Sequence, residues 1–179
     1  KLNAWPIEPR LAAFYFFYFT LLGIMVPYLP LYLQHLGYGA VEIGTATAVL
    51  VATKIIAPNV WGWLADRAGK RMPIIRLGCL LAIVGFCCIY FQSNYTFLLL
   101  AIICYSFFWN AVLAQFEAVT MDYLGEAKAA RYSRIRLWGS LGFIVAVACC
   151  GWLFQRYSMS LFPPVVMVCL GLIFLVSFI

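Results

Sequence analysis

Six long apolar stretches constrain this chain more than any other feature of it. They cover residues 11–33, 43–64, 73–91, 95–121, 135–154 and 161–179. As helices rising ~1.5 Å per residue, even the shortest reach about 28 Å, close to the ~30 Å hydrocarbon core of a bilayer. A segment in hydrocarbon must satisfy its own backbone hydrogen bonds, which leaves only the helix and the closed barrel. Continuous apolar runs without two-residue alternation select the helix. The expected fold is all-α, a polytopic membrane protein with six transmembrane helices in one domain over residues 1–179. Composition agrees, with 10% charged residues against ~25% in soluble domains. The first run holds two prolines and no small-residue cleavage site follows it, so it reads as a spanning helix and not as a signal peptide.

The charges lie at the ends of these runs. Lys1, Arg10, Arg67, Lys70, Arg71, Arg76, Lys128, Arg131, Arg134 and Arg136 fall at alternate ends, ten of the twelve basic residues. The positive-inside bias places those ends, and both termini, in the cytosol, with Arg156 at an outside turn, Lys54 embedded and Trp5 as an interface anchor. The expected location is a bacterial inner (plasma) membrane. A net charge of +6 is thereby a topology signal, and no nucleic-acid partner is expected. Seven cysteines sit inside apolar runs beside a single histidine, His35, in an outside loop; no metal spacing, disulfide framework or cofactor site emerges. No nucleophile is paired with a base, so an enzyme is not expected.

Polar groups inside the runs are the site candidates, because each is costly unless it is paired or faces a watery cavity. Lys54 stands near the middle of helix 2. Helix 4 carries Asn110, Gln115 and Glu117, with Asn110 and Glu117 seven residues apart on one face. Arg136 opens helix 5, where Gly139, Gly142 and Ala146 invite close helix contact. In helix 1, Tyr15, Tyr18 and Phe19 form an aromatic wall below Pro27 and Pro30, where a kink is expected. Arg76 lies close enough to the inner end of helix 3 to snorkel to the headgroups.

Between helices 2 and 3 runs WGWLADRAGKR, residues 61–71, expected as a cytosolic turn. Gly62 would let a neighbouring helix approach, and Asp66 can accept from free amides or pair with a cation. Arg67, Lys70 and Arg71 favour the anionic side of the membrane. The order Gly-x-x-x-Asp-Arg-x-Gly-x-Arg resembles the same loop in the major facilitator superfamily of secondary transporters. The resemblance implies a gating latch formed by Gly62, Asp66, Arg67, Gly69, Lys70 and Arg71. It also implies that the chain is the amino-terminal six-helix half of a carrier whose carboxy-terminal half is a missing partner.

The resemblance extends along the chain. FYFFYFTLLGIMVPYLPLYLQHLGY in helix 1, FEA at 116–118 and YSRIRLWGSLGF around Arg136 are similar to the phenylpropionate permease branch and the neighbouring oligosaccharide and nucleoside proton symporters. It implies that Glu117 and Arg136 match an acid and an arginine that contact sugar in lactose permease, with Glu117 also a candidate for proton coupling. Lys54 adds a positive charge beyond that pair. Two cations against one acid suit an aromatic or other monocarboxylate, its anion on Lys54 or Arg136 and its body near Tyr15, Tyr18 and Phe19. The expected activity is secondary active, proton-coupled transport of such a small organic solute. Sugar or nucleoside symport is the alternative, and a non-transporting membrane sensor or scaffold the third.

Overall fold

The computed structural model describes residues 7–91, 94–124 and 128–178. Lys1, Trp5, the outside-loop residues Gln92 and Ser93, Glu126, the side chain of Lys128 and the last residue, Ile179, lie outside the described residues. Six long helices result: α1 (Ile7–His35), α2 (Ala40–Ala68), α3 (Arg71–Cys87), α4 (Tyr95–Leu124), α5 (Lys128–Arg156) and α6 (Phe162–Val176). A 3-10 turn, Cys88–Phe91, extends α3, and another, Met159–Leu161, leads into α6. Each helix, with its 3-10 extension where it has one, is long and apolar enough to cross a membrane. The chain is an all-α, six-helix integral membrane bundle.

The helices outrun the apolar stretches, and two expected loops shrink accordingly. Trp61–Ala68 continues α2, so only Gly69 and Lys70 leave the helix before α3 begins. Gly69 adopts φ +65°, a left-handed conformation that glycine takes without a steric penalty, and its amide donates to the Ala65 carbonyl at 3.1 Å. The expected second cytosolic loop, 122–134, is likewise mostly helix, with α4 ending at Leu124 and α5 starting at Lys128. Charged residues interrupt an apolar pattern at the headgroup layer, yet the backbone there continues its hydrogen bonds. α1 also runs as one helix through Pro27 and Pro30.

α1 packs along α5 and α6, α4 packs along α2 and α3, and α3 meets α6. Exchanging the first three helices with the last three maps this pattern onto itself, as in the nested three-helix repeats of carriers. The seams α1/α2 and α4/α5 are sparsely packed. The α1–α5 seam is close: a β-carbon on Gly23 would come within 2.7 Å of the Phe143 carbonyl, and one on Gly139 within 2.8 Å of the Phe19 ring. Thr20 donates to the Gly142 carbonyl at 3.3 Å and Tyr28 to the Val147 carbonyl at 2.6 Å. Small residues and interhelical hydrogen bonds supply the association that lipid surroundings do not drive. Across α1 and α4 the contact is made by stacked rings, Phe14 on Phe116 at 3.7 Å and Tyr18 on Trp109 at 4.2 Å.

Two cations tie helix ends together. Arg76 donates to the Ser177 carbonyl at 3.1 Å and lies over the Phe178 ring, capping the end of α6. The unpaired last carbonyls of a helix attract a nearby cation, and Arg76 answers them here. Glu8 in the first turn of α1 pairs with Arg131 of α5 at 2.5 Å.

Candidate functional site

The sparse α4/α5 seam holds a half-exposed cluster of polar side chains. Arg136 Nη1 lies 2.5 Å from Glu117 Oε1, with the two side chains 42% and 35% exposed. Tyr132, one turn before Arg136, accepts from Arg136 Nη1 at 3.0 Å and donates to Glu117 Oε1 at 3.3 Å. The Arg136 guanidinium stands 5.2 Å over the Phe19 ring of α1, within the range of cation–π attraction. Only one oxygen of Glu117 and one nitrogen of Arg136 are engaged among the described residues. The cluster thus presents an acceptor, several donors, a hydroxyl and an aromatic face at one place.

Tyr132 was not singled out by the sequence, since the expected loop covered it; its four-residue spacing to Arg136 becomes informative once α5 starts at Lys128.

The remaining predicted binding residues divide. Tyr15 is fully buried, its ring edge-on to Phe116 and Tyr132. Tyr18 is buried between α1 and α4 against Trp109. Both tyrosines support the cluster from behind, and of the expected aromatic wall only Phe19 is half-buried beside Arg136. Asn110 shares a face of α4 with Glu117 but meets a different helix. It donates to Thr53 Oγ1 at 2.8 Å and to the Leu50 carbonyl at 3.3 Å, both on α2. The polar stripe therefore divides between two neighbours and does not form a single site.

Lys54 lines a separate cleft of about 170 Å³ in the α1/α2 seam, with Leu22, Met25, Trp109 and Asn110 among its walls. It is exposed and makes no ion pair among the described residues. Asn110, on Lys54's cleft, precedes Glu117 by seven residues, about 10 Å along α4. Lys54 and the Glu117–Arg136 pair thus occupy the two seams that the internal exchange relates.

At the end of α2, Asp66 Oδ1 accepts from Arg71 Nη2 at 3.0 Å, across the Gly69 turn. Of the two partners open to Asp66, the cation is the one it takes in this half. Arg71 Nη1 also approaches Gln115 Oε1 at 3.5 Å, joining the turn to α4. Arg67 lies 5.5 Å over Trp63, and Lys70 is the exposed extended residue before α3. A β-carbon on Gly62 would meet Gln115 at 3.6 Å, an ordinary contact. The expected close approach at Gly62 is therefore absent from this half.

Among the described residues no group of histidine, cysteine or carboxylate side chains could hold a metal ion. The model of the MFS_1 like family matches residues 9–179. The chain belongs to the MFS_1 like family. Among curated relatives of this family member, the maltose permease of Geobacillus stearothermophilus is 28% identical over 148 residues, 82% of this chain and 37% of the relative. The uncharacterized transporter YwbF of Bacillus subtilis (strain 168) is 30% identical over 169 residues, 92% of this chain and 40% of the relative. The crystal structure of nucleoside transporter NupG superposes with a TM-score of 0.86 at 17% identity, over 97% of this chain and 44% of NupG. That likeness shows the facilitator-type fold. The MFS_1 like chain spans about two fifths of the length of these relatives. The matches are broad, and no one of the phenylpropionate, oligosaccharide or nucleoside branches is singled out by them.

Proposed function

We propose that this chain forms the amino-terminal half of a proton-coupled secondary transporter for a polar organic solute of the sugar or nucleoside class. The observation that carries the reading is the half-open Glu117–Arg136 pair, with hydrogen-bonding capacity left over and Phe19 beneath it. Sugars and nucleosides offer adjacent hydroxyls that both donate and accept, and a carboxylate beside a guanidinium answers both. A ring face or base packs on the aromatic platform. A similarity to a maltose permease, and a fold shared with a nucleoside transporter, support this class.

In this reading a second six-helix unit closes the cavity, the Asp66–Arg71 turn acts as a cytosolic latch, and the amino terminus is cytoplasmic in a bacterial inner (plasma) membrane. Glu117 is the candidate proton carrier in this half, because neutralising it would release Arg136. A monocarboxylate is the second reading, favoured by one observation: Lys54 faces a cleft without an ion pair among the described residues.

The deciding experiment reconstitutes the full-length protein in proteoliposomes and compares sugars, nucleosides and phenylpropionate with and without an imposed proton gradient. Gradient-stimulated uptake of a sugar or nucleoside is the expected result. Uptake of phenylpropionate alone moves the assignment to the second reading, and binding without flux of any of them replaces transport by a sensor or scaffold role.

A further inference from the structure

The α1–α5 seam has two sides. Phe19 and Arg136 occupy one of them. Arg134 and Trp138 flank Arg136 by two residues each, so both point about 200° around α5 from it, away from the proposed solute side. There the seam opens into a groove of about 480 Å³, the larger of the two cavities described here. Ala12, Ala13 and Phe16 of α1 and Ile135 and Trp138 of α5 line it, and Arg134 and Glu8 stand with them. Glu8 lies in the first turn of α1 and Arg134 within the first two turns of α5, so the charged residues stand toward the helix ends, where a headgroup would be met.

The charge balance at the groove is one-sided. Glu8 is already engaged by Arg131. Arg134 is exposed and makes no ion pair among the described residues. Among the described residues, Arg134 therefore stands as a cation without an ion pair beside a trough whose small alanines leave room for a chain and whose walls offer a hydrated solute almost nothing. Trp138, 52% exposed, supplies the amphipathic ring that favours the interface.

We infer that this groove holds an anionic phospholipid of the surrounding leaflet, its phosphate on Arg134 and an acyl chain between α1 and α5. A zwitterionic lipid fits the same trough with less gain, because its own ammonium already neutralises the phosphate.

The test uses the full-length protein in vesicles carrying brominated phosphatidylglycerol or brominated phosphatidylcholine. The emission lost in Trp138→Phe defines the Trp138 signal. That signal is expected to be half-quenched at about fivefold lower mole fraction of the anionic lipid. Arg134→Gln should bring the two lipids together, and Ala13→Phe, which fills the trough while keeping the cation, should also abolish the preference. Equal quenching by both lipids in the parent protein overturns the inference. So does quenching by neither, which would mean that protein covers the groove, and so does a preference that survives Ala13→Phe, which would place the lipid on the open surface.

Discussion

The amide of Asn110 donates to the Thr53 hydroxyl at 2.8 Å inside the bundle, fixing α4 to α2. Asn110 thereby joins two helices of the bundle while lining the Lys54 cleft. Asn110→Ala and Thr53→Ala are expected to lower stability by amounts that do not add, with a coupling of about 1 kcal/mol. A double-mutant cycle on thermal unfolding in detergent measures it, and solute affinity corrected for folded protein should stay at the parental value.

Tyr132 bridges the two charged partners of the candidate site. Tyr132→Phe keeps the ring against Tyr15 and removes the hydroxyl, so solute affinity should fall by about tenfold, in the range of one hydrogen bond to a charged group. Glu117→Gln should cost more than that and abolish gradient-driven accumulation. Equilibrium binding and counterflow separate the two effects, since exchange without net proton movement should survive in Tyr132→Phe.

Gly23 and Gly62 look alike in sequence and differ in surroundings. An added methyl group at Gly23 meets the Phe143 backbone, which cannot yield without moving α5. Gly23→Ala is expected to destabilise the protein by about 1–3 kcal/mol. Gly62→Ala meets only the end of Gln115 at contact distance and should be near neutral in stability. Abundance and melting temperature of the two variants, compared side by side, check the contrast.

Asp66→Asn removes one charge from the Arg71 pair, which is exposed enough that little stability rides on it. If the turn is a latch, transport turnover should fall at least severalfold while equilibrium solute binding stays close to parental. A parallel loss of both with folded yield would make Asp66 a structural residue.

The spans were legible because apolar length alone announces them, and so was a close helix contact along α5 at Gly139 and Gly142, although nothing local named α1 as the helix that makes it. The helix ends were not legible. Charges at Arg67, Arg131 and Arg134 break an apolar pattern without breaking a backbone ladder, so Trp61–Arg71 read as a loop although most of it is helix. The Glu117–Arg136 pair was found through resemblance to known carriers, whereas Tyr132 between them was hidden by the misplaced start of α5. Asn110 shares the face of α4 expected for it but meets α2 and not the Glu117–Arg136 pair, because periodicity states which side a residue takes and not which helix waits there. The contacts Arg76–Ser177 and Arg131–Glu8 join residues roughly a hundred or more positions apart, a distance no local pattern crosses.

The two-residue connection between α2 and α3 has a mechanical consequence. With only Gly69 and Lys70 free and the Asp66–Arg71 pair spanning them, the two helices form a braced elbow. Slack between the two helices is confined to those two residues, so a tilt of the last turns of α2, beyond Pro58, reaches the first turn of α3 as a displacement.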